Sequence, residues 1–215
     1  MRVIVIAKSP EPGRVKTRLC PPCTLEEAAA IAEAALLDTL EQVDRLVGAE
    51  ALLALDGPVG PWVPPGLQIV AQRGRGLDER IAAAFDDAGG PALLIGMDTP
   101  QLRTAHLAQA CERLDSAEVD AVLGPALDGG WWAVGLRTPD PGVFLDVPMS
   151  SPHTLTSQRA RLTTLRLRFD ELGPMRDVDT AVDAAIVAGS LPGSRFAAAV
   201  AASAIGQGAV EGVPA

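Results

Sequence analysis

Cysteine, histidine and long apolar runs are all scarce in this sequence, and each scarcity excludes a class of protein. The three cysteines, Cys20, Cys23 and Cys111, are an odd number in 215 residues, so a disulfide framework is not expected. No stretch approaches the roughly 20 apolar residues of a membrane-spanning helix, and the first apolar run is too short for a secretory signal. We therefore expect a cytoplasmic protein without a membrane span.

An excess of positive charge is also missing. The chain has 18 Lys and Arg against 27 Asp and Glu, which gives a formal net charge of -9. Nucleic acids and anionic membranes bind basic surfaces, so neither is expected as a partner. Where cations do cluster in such a chain, we expect them to bind small anions.

Strand-like and helix-like apolar patterns alternate along most of the chain. The predicted strands are 3–7, 51–55, 68–72, 92–96, 121–124, 131–136 and 165–169, and the predicted helices are 24–47, 77–88, 104–116, 152–162 and 177–188. This alternation indicates one α/β domain with a mostly parallel sheet, in which strand 131–136 is the candidate for antiparallel insertion. The domain is placed at 1–189. Residues 190–215 are interpreted as an alanine- and glycine-rich extension with one helix followed by a frayed end.

The first nineteen residues join an apolar strand to a basic loop. The continuous apolar run at 3–7 is typical of a strand buried on both faces, and prolines and a glycine end it. Four cations stand at its end and on the loop that follows: Lys8, Arg14, Lys16 and Arg18. Open α/β sheets bind ligands at the ends of their strands, so this loop predicts an anion site. A solvated basic loop is the alternative.

Asp98 is the strongest single candidate for a ligand-binding residue. It follows the predicted buried strand 92–96, where a carboxylate does not serve the core and where sheet enzymes bind ligands. Mg²⁺ binds through one or two carboxylates plus substrate phosphates, and Asp177 and Asp179 are the candidate partners. The alternatives are a turn before Pro100 for Asp98 and helix capping for the other two.

A second candidate region is the turn at Asp128, Gly129 and Gly130. Its glycines would let a ligand approach the backbone closely, although a plain hairpin turn is the alternative. Trp131 and Trp132 follow on a strand and point to opposite faces, so at most one of them can stack on a base or sugar.

Two other motif matches are weak. Residues 13–17 lack the glycine directly before lysine that a P-loop requires. Cys20 and Cys23 have the spacing of a redox motif just before a helix, but the surrounding thioredoxin order is missing, and we interpret them as loop filling.

Together these residues resemble the nucleotide-diphospho-sugar transferase superfamily. More closely, the chain is similar to the bacterial arsenosugar-biosynthesis or radical-SAM/selenodomain-associated glycosyltransferase-like family, and to the guanylyltransferases of molybdenum-cofactor and deazaflavin-cofactor synthesis. The matching segments are 7–19, 72 with 76–80, 95–100, 123–132 and 177–180. The resemblance implies a three-layer α/β/α fold of the glycosyltransferase-A type.

The resemblance also implies roles for individual residues. Asp98 and Asp179 would hold a divalent metal, Mg²⁺ or Mn²⁺, and Gly76 would lie near the base. The nucleotide-binding candidates are Ala7, Lys8, Gly13, Arg14, Lys16, Arg18, Gln72, Gly76 and Asp98. The catalytic candidates are Lys16, Arg18, Asp98 and Asp128, and the acceptor candidates are Asp128, Gly129, Gly130, Trp131 and Asp177. Leu127 and Met149 depart from the family pattern, which weakens the acceptor assignment most.

Two reactions fit this resemblance. The first is glycosyl transfer from a nucleotide-diphospho sugar to a small acceptor, with Asp128 as the base. The second is nucleotidyl transfer, which joins a nucleoside triphosphate to a phosphorylated small molecule and releases pyrophosphate. The basic loop suits a triphosphate, whereas the family similarity favours the glycosyl reaction, which we place first. A nucleotide-binding protein without turnover is the third hypothesis. The base, sugar, acceptor and oligomeric state are not encoded in any readable pattern.

Overall fold

A seven-stranded mixed sheet organises the fold in the computed structural model, which describes residues 1–211. The strands are β1 (Arg2–Lys8), β2 (Glu50–Asp56), β3 (Gln68–Ala71), β4 (Ala92–Gly96), β5 (Ala121–Pro125), β6 (Trp131–Leu136) and β7 (Phe169–Glu171). Their order in the sheet is β3-β2-β1-β4-β6-β5-β7. Strand β6 runs antiparallel to both neighbours and the other adjacent pairs are parallel, as the sequence predicts.

Helices cover both faces of this sheet. They are α1 (Leu25–Asp44), α2 (Leu77–Ala88), α3 (Thr104–Asp115), α4 (Thr154–Thr164), α5 (Ala181–Gly189), α6 (Arg195–Ala202) and α7 (Ala204–Glu211). Alternate residues of β1 face opposite sides: Val3 and Val5 join the core under α1 and α3, whereas Ile4 joins the core under α2 and α4. The predicted three-layer α/β/α architecture is therefore confirmed.

The long helix α1 begins where the sequence places its capping box. The Glu27 amide donates to the Thr24 hydroxyl at 3.1 Å, and the Thr24 amide donates to the Glu27 carboxylate at 2.8 Å. Each side chain thus satisfies a backbone donor that the first helical turn would leave without an acceptor. This cap fixes the point at which the basic loop enters α1.

Two predicted segments differ from the structure. The strand expected at 165–169 begins only at Phe169, because α4 continues to Thr164 and Arg166 then adopts a left-handed backbone with φ 58°. The last predicted helix begins at Ala181 rather than at Asp177, since the Thr180 hydroxyl accepts from the Asp183 amide and is the cap. The helix-capping alternative for Asp177 and Asp179 is therefore wrong.

The C-terminal helices form an additional layer on the outer side of α1. Phe196 and Val200 of α6 share a buried apolar cluster with Leu19, Ile31 and Val187. The sequence predicts one helix and a frayed end here, but the structure has two helices that reach Glu211. The remainder of the predicted frayed end, 212–215, lies outside the described residues. None of the helices described up to Glu211 combines the length and apolarity that crossing a bilayer requires.

Asp38 connects this layer to α1, and we predict that Asp38→Ala lowers the free energy of unfolding by about 1–3 kcal/mol. Its buried carboxylate accepts from the Phe196 amide at 2.9 Å and from the Arg195 amide and guanidinium at 3.3 and 3.2 Å. The substitution leaves the Phe196 and Arg195 amides without this acceptor, while the Arg195 guanidinium keeps its bond to Glu41. Urea denaturation measures the change, and Asp44→Ala on the exposed end of α1 is the matched control. Equal effects of the two substitutions would contradict the prediction.

Candidate active site

The candidate residues from four parts of the chain meet at one edge of the sheet. Strands β1, β4, β5 and β7 all point the same way, because β6 is antiparallel to both β4 and β5. The basic loop, Asp98, the turn at Asp128 and the segment 177–179 follow the carboxyl ends of these strands. This edge is where open α/β sheets bind their ligands.

Lys16 lies at the centre of this group. Its Nζ is 2.5 Å from Asp98 Oδ1 and 3.8 Å from Asp179 Oδ1, and it donates a hydrogen bond to the Val178 carbonyl. The Val178 amide in turn donates to the Asp98 carbonyl at 2.9 Å, which joins the loop after β4 to the segment after β7. One cation thus holds two carboxylates that are 81 positions apart in the chain.

The backbone of Lys16 adopts the left-handed region, with φ 49° and ψ 31°. This region is uncommon for residues other than glycine, and such conformations concentrate at functional sites. The neighbouring Val15 is buried, and the Leu19 amide donates to the Lys16 carbonyl at 2.9 Å. Packing on one side and a hydrogen-bonded turn on the other therefore fix the point from which the lysine side chain extends.

Arg18 contacts the Asp179 carboxylate from the solvent side. Its Nη1 is 3.4 Å from Asp179 Oδ2, and its side chain is 77% exposed, whereas that of Lys16 is only 7% exposed. The basic loop therefore presents one buried and one accessible cation. An anionic ligand that enters from solvent meets Arg18 first.

Asp177 is the carboxyl group whose ionisation the site changes most. Burial, followed by the like charges of Asp98 and Asp128, raises the pKa of Asp177 to about 7 from its usual value of 3.8. Its Oδ1 is buried and has no hydrogen-bond partner among residues 1–211. Near neutral pH this carboxyl is divided between its protonated and ionised forms.

The turn at Asp128 is rigid because Gly129 is pressed against the start of α4. Gly129 has φ 91°, and a Cβ at this position would lie 2.2 Å from the Pro152 carbonyl oxygen, so only glycine fits. Asp128 Oδ1 accepts from the Gly130 amide at 2.8 Å, and the Gly129 carbonyl accepts from the Leu155 amide at 2.9 Å. The exposed carboxylate of Asp128 is thereby held at the edge of the site.

The two tryptophans point to opposite faces of β6, as the sequence predicts. Trp132 is 2% exposed and its indole N–H donates to the Gly173 carbonyl at 3.0 Å. Trp131 is partly buried on the other face, and its indole N–H has no partner within the described part of the chain. Trp131 is thus the one of the pair with a hydrogen-bond donor still available.

Four of the remaining nucleotide-binding candidates, Ala7, Arg14, Gln72 and Gly76, form a second group at the ends of β1, β2 and β3. The Gln72 amide donates to the Ala7 carbonyl at 2.8 Å and to the Ala54 carbonyl at 3.0 Å. Gly76 directly precedes α2 as its N-cap. Arg14 is ion-paired with Glu11 at 2.8 Å and lies 3.7 Å from Asp56 at the end of β2.

The Lys8 side chain contacts neither group, and Gly13 lies in the loop after β1. Lys8 is exposed at the end of β1, and its backbone N–H lies 3.3 Å from Met97 Sδ. Gly13 turns the loop with φ 79°.

Asp56 is a site residue that the sequence reading missed. It is the last residue of β2, and its carboxylate binds Arg80 at 2.8 Å and Arg14 at 3.7 Å. The signal was available, since a carboxylate at the end of a buried strand is the same pattern that identifies Asp98. Arg80 lies in a segment that the family resemblance includes but to which it gives no role.

Cys20 and Cys23 have no feature of a redox pair beyond their spacing. Cys23 is buried in the cluster that contains Leu19, and burial raises the pKa of its thiol. A raised pKa opposes the thiolate form that redox chemistry uses. The structure records Cys20, Cys23 and Cys111 as free cysteines.

The donor set at Lys16 suits a hard divalent cation. Asp98 and Asp179 both approach one cationic group, so their oxygens already converge on a point. Across residues 1–211, no group of three or more His, Cys, Asp or Glu side chains is arranged to hold a metal. Two carboxylates without a complete cage match Mg²⁺, which keeps coordination positions for substrate phosphates.

Comparison with solved structures places this fold among transferases. A "putative nucleotide-diphospho-sugar transferase" from Desulfovibrio desulfuricans G20 superposes with a TM-score of 0.82 at 25% identity, over 98% of this chain and 94% of that one. The predicted superfamily and the transferase class are thereby confirmed. The comparison with curated proteins gave no match.

Two further solved structures share the fold at lower identity. One is CMP:2-keto-3-deoxy-manno-octonic acid synthetase complexed with CTP, with TM-score 0.54 and 14% identity over 88% of this chain and 98% of that one. The other is glucosyl-3-phosphoglycerate synthase from Mycobacterium tuberculosis with Mn²⁺, uridine diphosphate and phosphoglyceric acid, with TM-score 0.53 and 11% identity over 91% and 78%. The same architecture thus occurs in nucleotidyl and glycosyl transferases.

A family model also matches the centre of the chain. The family is described as "Uncharacterized protein conserved in bacteria (DUF2064)", and the match covers residues 34–151. The matched region includes Asp98 and the turn at Asp128. It is more than half of the chain.

Asp177→Asn is expected to remove a pH-dependent cost of folding. Between pH 3.8 and about 7 the folded protein keeps a proton that the unfolded chain has lost, so stability falls as pH rises through this window and stays low above it. The substitution should raise the free energy of unfolding at pH 8 by a few kcal/mol, at about 1.4 kcal/mol for each pKa unit, and by almost nothing at pH 4.

Urea denaturation of both proteins across this pH range, with EDTA present, measures the difference. Asp115→Asn at the exposed end of α3 is the control and should show no pH-dependent gain. A gain from Asp177→Asn that is the same at pH 4 and pH 8 would show that the carboxyl is not perturbed in this way.

Proposed function

The chain belongs to the DUF2064 family, and we propose that it is a divalent-metal-dependent transferase that moves a glycosyl group from a nucleotide-diphospho sugar to a small acceptor. The observation that carries the proposal is the contact of Lys16 with both Asp98 and Asp179. It brings the phosphate-binding cation and the two metal carboxylates to one point at the ligand-binding edge of the sheet. The relative from Desulfovibrio desulfuricans G20 supports the choice of donor through its description.

The donor is held by its diphosphate. Arg18 is exposed and attracts the phosphates from solvent, and Lys16 neutralises charge deeper in the site. A metal held by Asp98 and Asp179 would neutralise the negative charge that the departing diphosphate acquires. Such preorganised charges accelerate a reaction because they need no rearrangement when the transition state forms.

The acceptor is placed at the turn of Asp128, Gly129 and Gly130. Asp128 accepts the proton of the acceptor hydroxyl while that oxygen forms a bond to the anomeric carbon and the bond to the diphosphate breaks. The buried carboxyl of Asp177 and the unpaired indole N–H of Trp131 supply further polar contacts for the acceptor.

At the ends of β1 to β3, the base would meet Gln72 and Gly76. Gln72 is fixed by the carbonyls of Ala7 and Ala54, so it acts as a brace for the strand ends. The glycine at the start of α2 leaves backbone open to an approaching ring. We place this chemistry in the cytoplasm, where three free cysteines remain reduced.

Nucleotidyl transfer is the second candidate, and the basic loop favours it. In that reaction a substrate phosphate attacks the α-phosphate of a nucleoside triphosphate, and pyrophosphate leaves. Lys16, Arg18 and the same two carboxylates would serve, because this transfer needs charge and positioning more than a strong base. The two reactions release different products, which makes them separable by experiment.

We predict that Asp98→Asn and Asp179→Asn each reduce turnover by roughly a hundredfold or more, since each removes one carboxylate charge from the metal site. Asp115→Asn, at the opposite edge of the sheet, is the matched control and should retain full activity. The donor is identified first by thermal shift with Mg²⁺ or Mn²⁺ against nucleoside triphosphates and nucleotide-diphospho sugars. Unchanged turnover in either variant would remove that residue from the site.

Product analysis with the identified donor then separates the two reactions. Release of a nucleoside diphosphate supports glycosyl transfer, whereas release of pyrophosphate establishes nucleotidyl transfer. Absence of any metal-dependent thermal shift would contradict both.

The variant Asp128→Asn tests whether Asp128 acts on the acceptor rather than on the donor. The amide keeps the size of the side chain but cannot accept the acceptor proton, so kcat should fall by about 10²- to 10⁴-fold. Donor binding, measured by thermal shift, should stay unchanged because Asp128 contacts neither Lys16 nor the metal carboxylates in the structure. A variant that loses donor binding as well would place Asp128 on the donor side instead.

A further inference from the structure

We infer that Lys16 is an internal counter-ion, which the incoming divalent metal displaces from Asp98 and Asp179. The inference rests on the proposed function, because it takes these two carboxylates as the metal ligands. In the structure the ammonium lies against both carboxylates and neutralises them. When the metal binds there, the ammonium leaves them and becomes available to the phosphates of the donor.

The contacts of Lys16 describe a cation site made of oxygens. Its Nζ is surrounded by Asp98 Oδ1 at 2.5 Å, Asp179 Oδ1 at 3.8 Å and the Val178 carbonyl. Carboxylate and carbonyl oxygens are the ligands that hard divalent cations select. An ammonium and a divalent ion repel each other at such distances, so the two cations occupy this position alternately.

Burial keeps the Lys16 ammonium at the two carboxylates until a divalent ion binds there. The Lys16 side chain is 7% exposed, and a buried charge that loses its partner is strongly destabilised. The ammonium therefore stays with the two carboxylates until a divalent ion binds there and repels it toward solvent or toward the phosphates of the donor. Arg18 is 77% exposed and can stay beside Asp179 in either state.

The surplus of acidic groups explains why a resident cation is needed. Asp98 and Asp179 contact Lys16, and Asp128 and Asp177 add two more carboxyl groups at the same edge of the sheet. Without a cation at the centre, these groups would repel one another across three loops. Lys16 supplies that cation whenever metal is absent, so the loops keep their positions for the next metal ion.

The fixed backbone of Lys16 lets this exchange occur through the side chain alone. Its main chain is held in the left-handed region by buried Val15 and by the bond from the Leu19 amide. The lysine side chain itself is a flexible four-carbon stem. Rotation about those bonds moves the ammonium without moving the loop.

Amine labelling of the wild-type protein tests the displacement directly. The chain has two lysines, and the exposed Lys8 is an internal reference for the buried Lys16. The protein is acetylated with an N-hydroxysuccinimide ester over a series of MnCl₂ concentrations, and both peptides are followed by mass spectrometry. Manganese should increase the labelling rate of Lys16 relative to Lys8 by about fivefold or more, since the freed side chain becomes accessible.

Manganese binding provides the second measurement, by electron paramagnetic resonance of free Mn²⁺ without nucleotide. Lys16→Met removes the competing ammonium and should tighten Mn²⁺ binding by about tenfold or more. Arg18→Met is the matched control, because it also removes one positive charge beside Asp179, but an exposed one. Its effect should be roughly threefold or less.

The outcomes separate this inference from the proposed function. If wild type and Lys16→Met bind Mn²⁺ equally and Lys16 stays unlabelled, the displacement is wrong although the metal site stands. If neither protein binds Mn²⁺, with or without a nucleotide, the metal site is wrong and both proposals fall. If Lys16→Met does not fold, the labelling of the wild-type protein decides.

Discussion

The ion pair between Lys16 and the two carboxylates is the interaction on which the geometry of the site depends. Asp98 and Asp179 belong to loops far apart in sequence, and like charges at Asp128 and Asp177 face the same space. Lys16 offsets the repulsion within this set of carboxylates, and their charge in turn stabilises its buried ammonium. The hydrogen bond between the Val178 amide and the Asp98 carbonyl then fixes the two loops to each other.

The sheet topology determines which residues can take part. The ends of β1, β4 and β7 reach one edge because these strands are parallel, and the antiparallel β6 brings the turn after β5 to that same edge. A parallel strand in place of β6 would have needed a crossover connection instead of a tight turn. The antiparallel strand β6 therefore brings Asp128 to the same edge as the basic loop. In the proposed function, the loop then binds the donor and the turn at Asp128 binds the acceptor.

The sequence predicted the architecture well because the buried strands are uniform apolar runs and α1 has a capping box. It also identified Asp98 as a candidate, since a carboxylate after a buried strand has no role in the core, and its place in the site stays a prediction. It did not predict the contacts of Lys16, because a left-handed lysine has no sequence signature. Asp56 was missed although it follows the same rule as Asp98. The sequence predicted only one of the two C-terminal helices, since the end of this alanine-rich stretch resembles a loose end, and packing on α1 and α5 stabilises the layer.

The layer formed by α5, α6 and α7 has a consequence for the order in which the protein matures during synthesis. Leu19, which directly follows Arg18, is buried in the same apolar cluster as Phe196 and Val200. Domains form as their chains emerge from the ribosome, so the sheet can assemble while this part of the cluster is still being translated. The basic loop lacks part of its apolar support until then. A nascent chain can thus contain every candidate ligand residue before the loop that presents Lys16 is fully anchored.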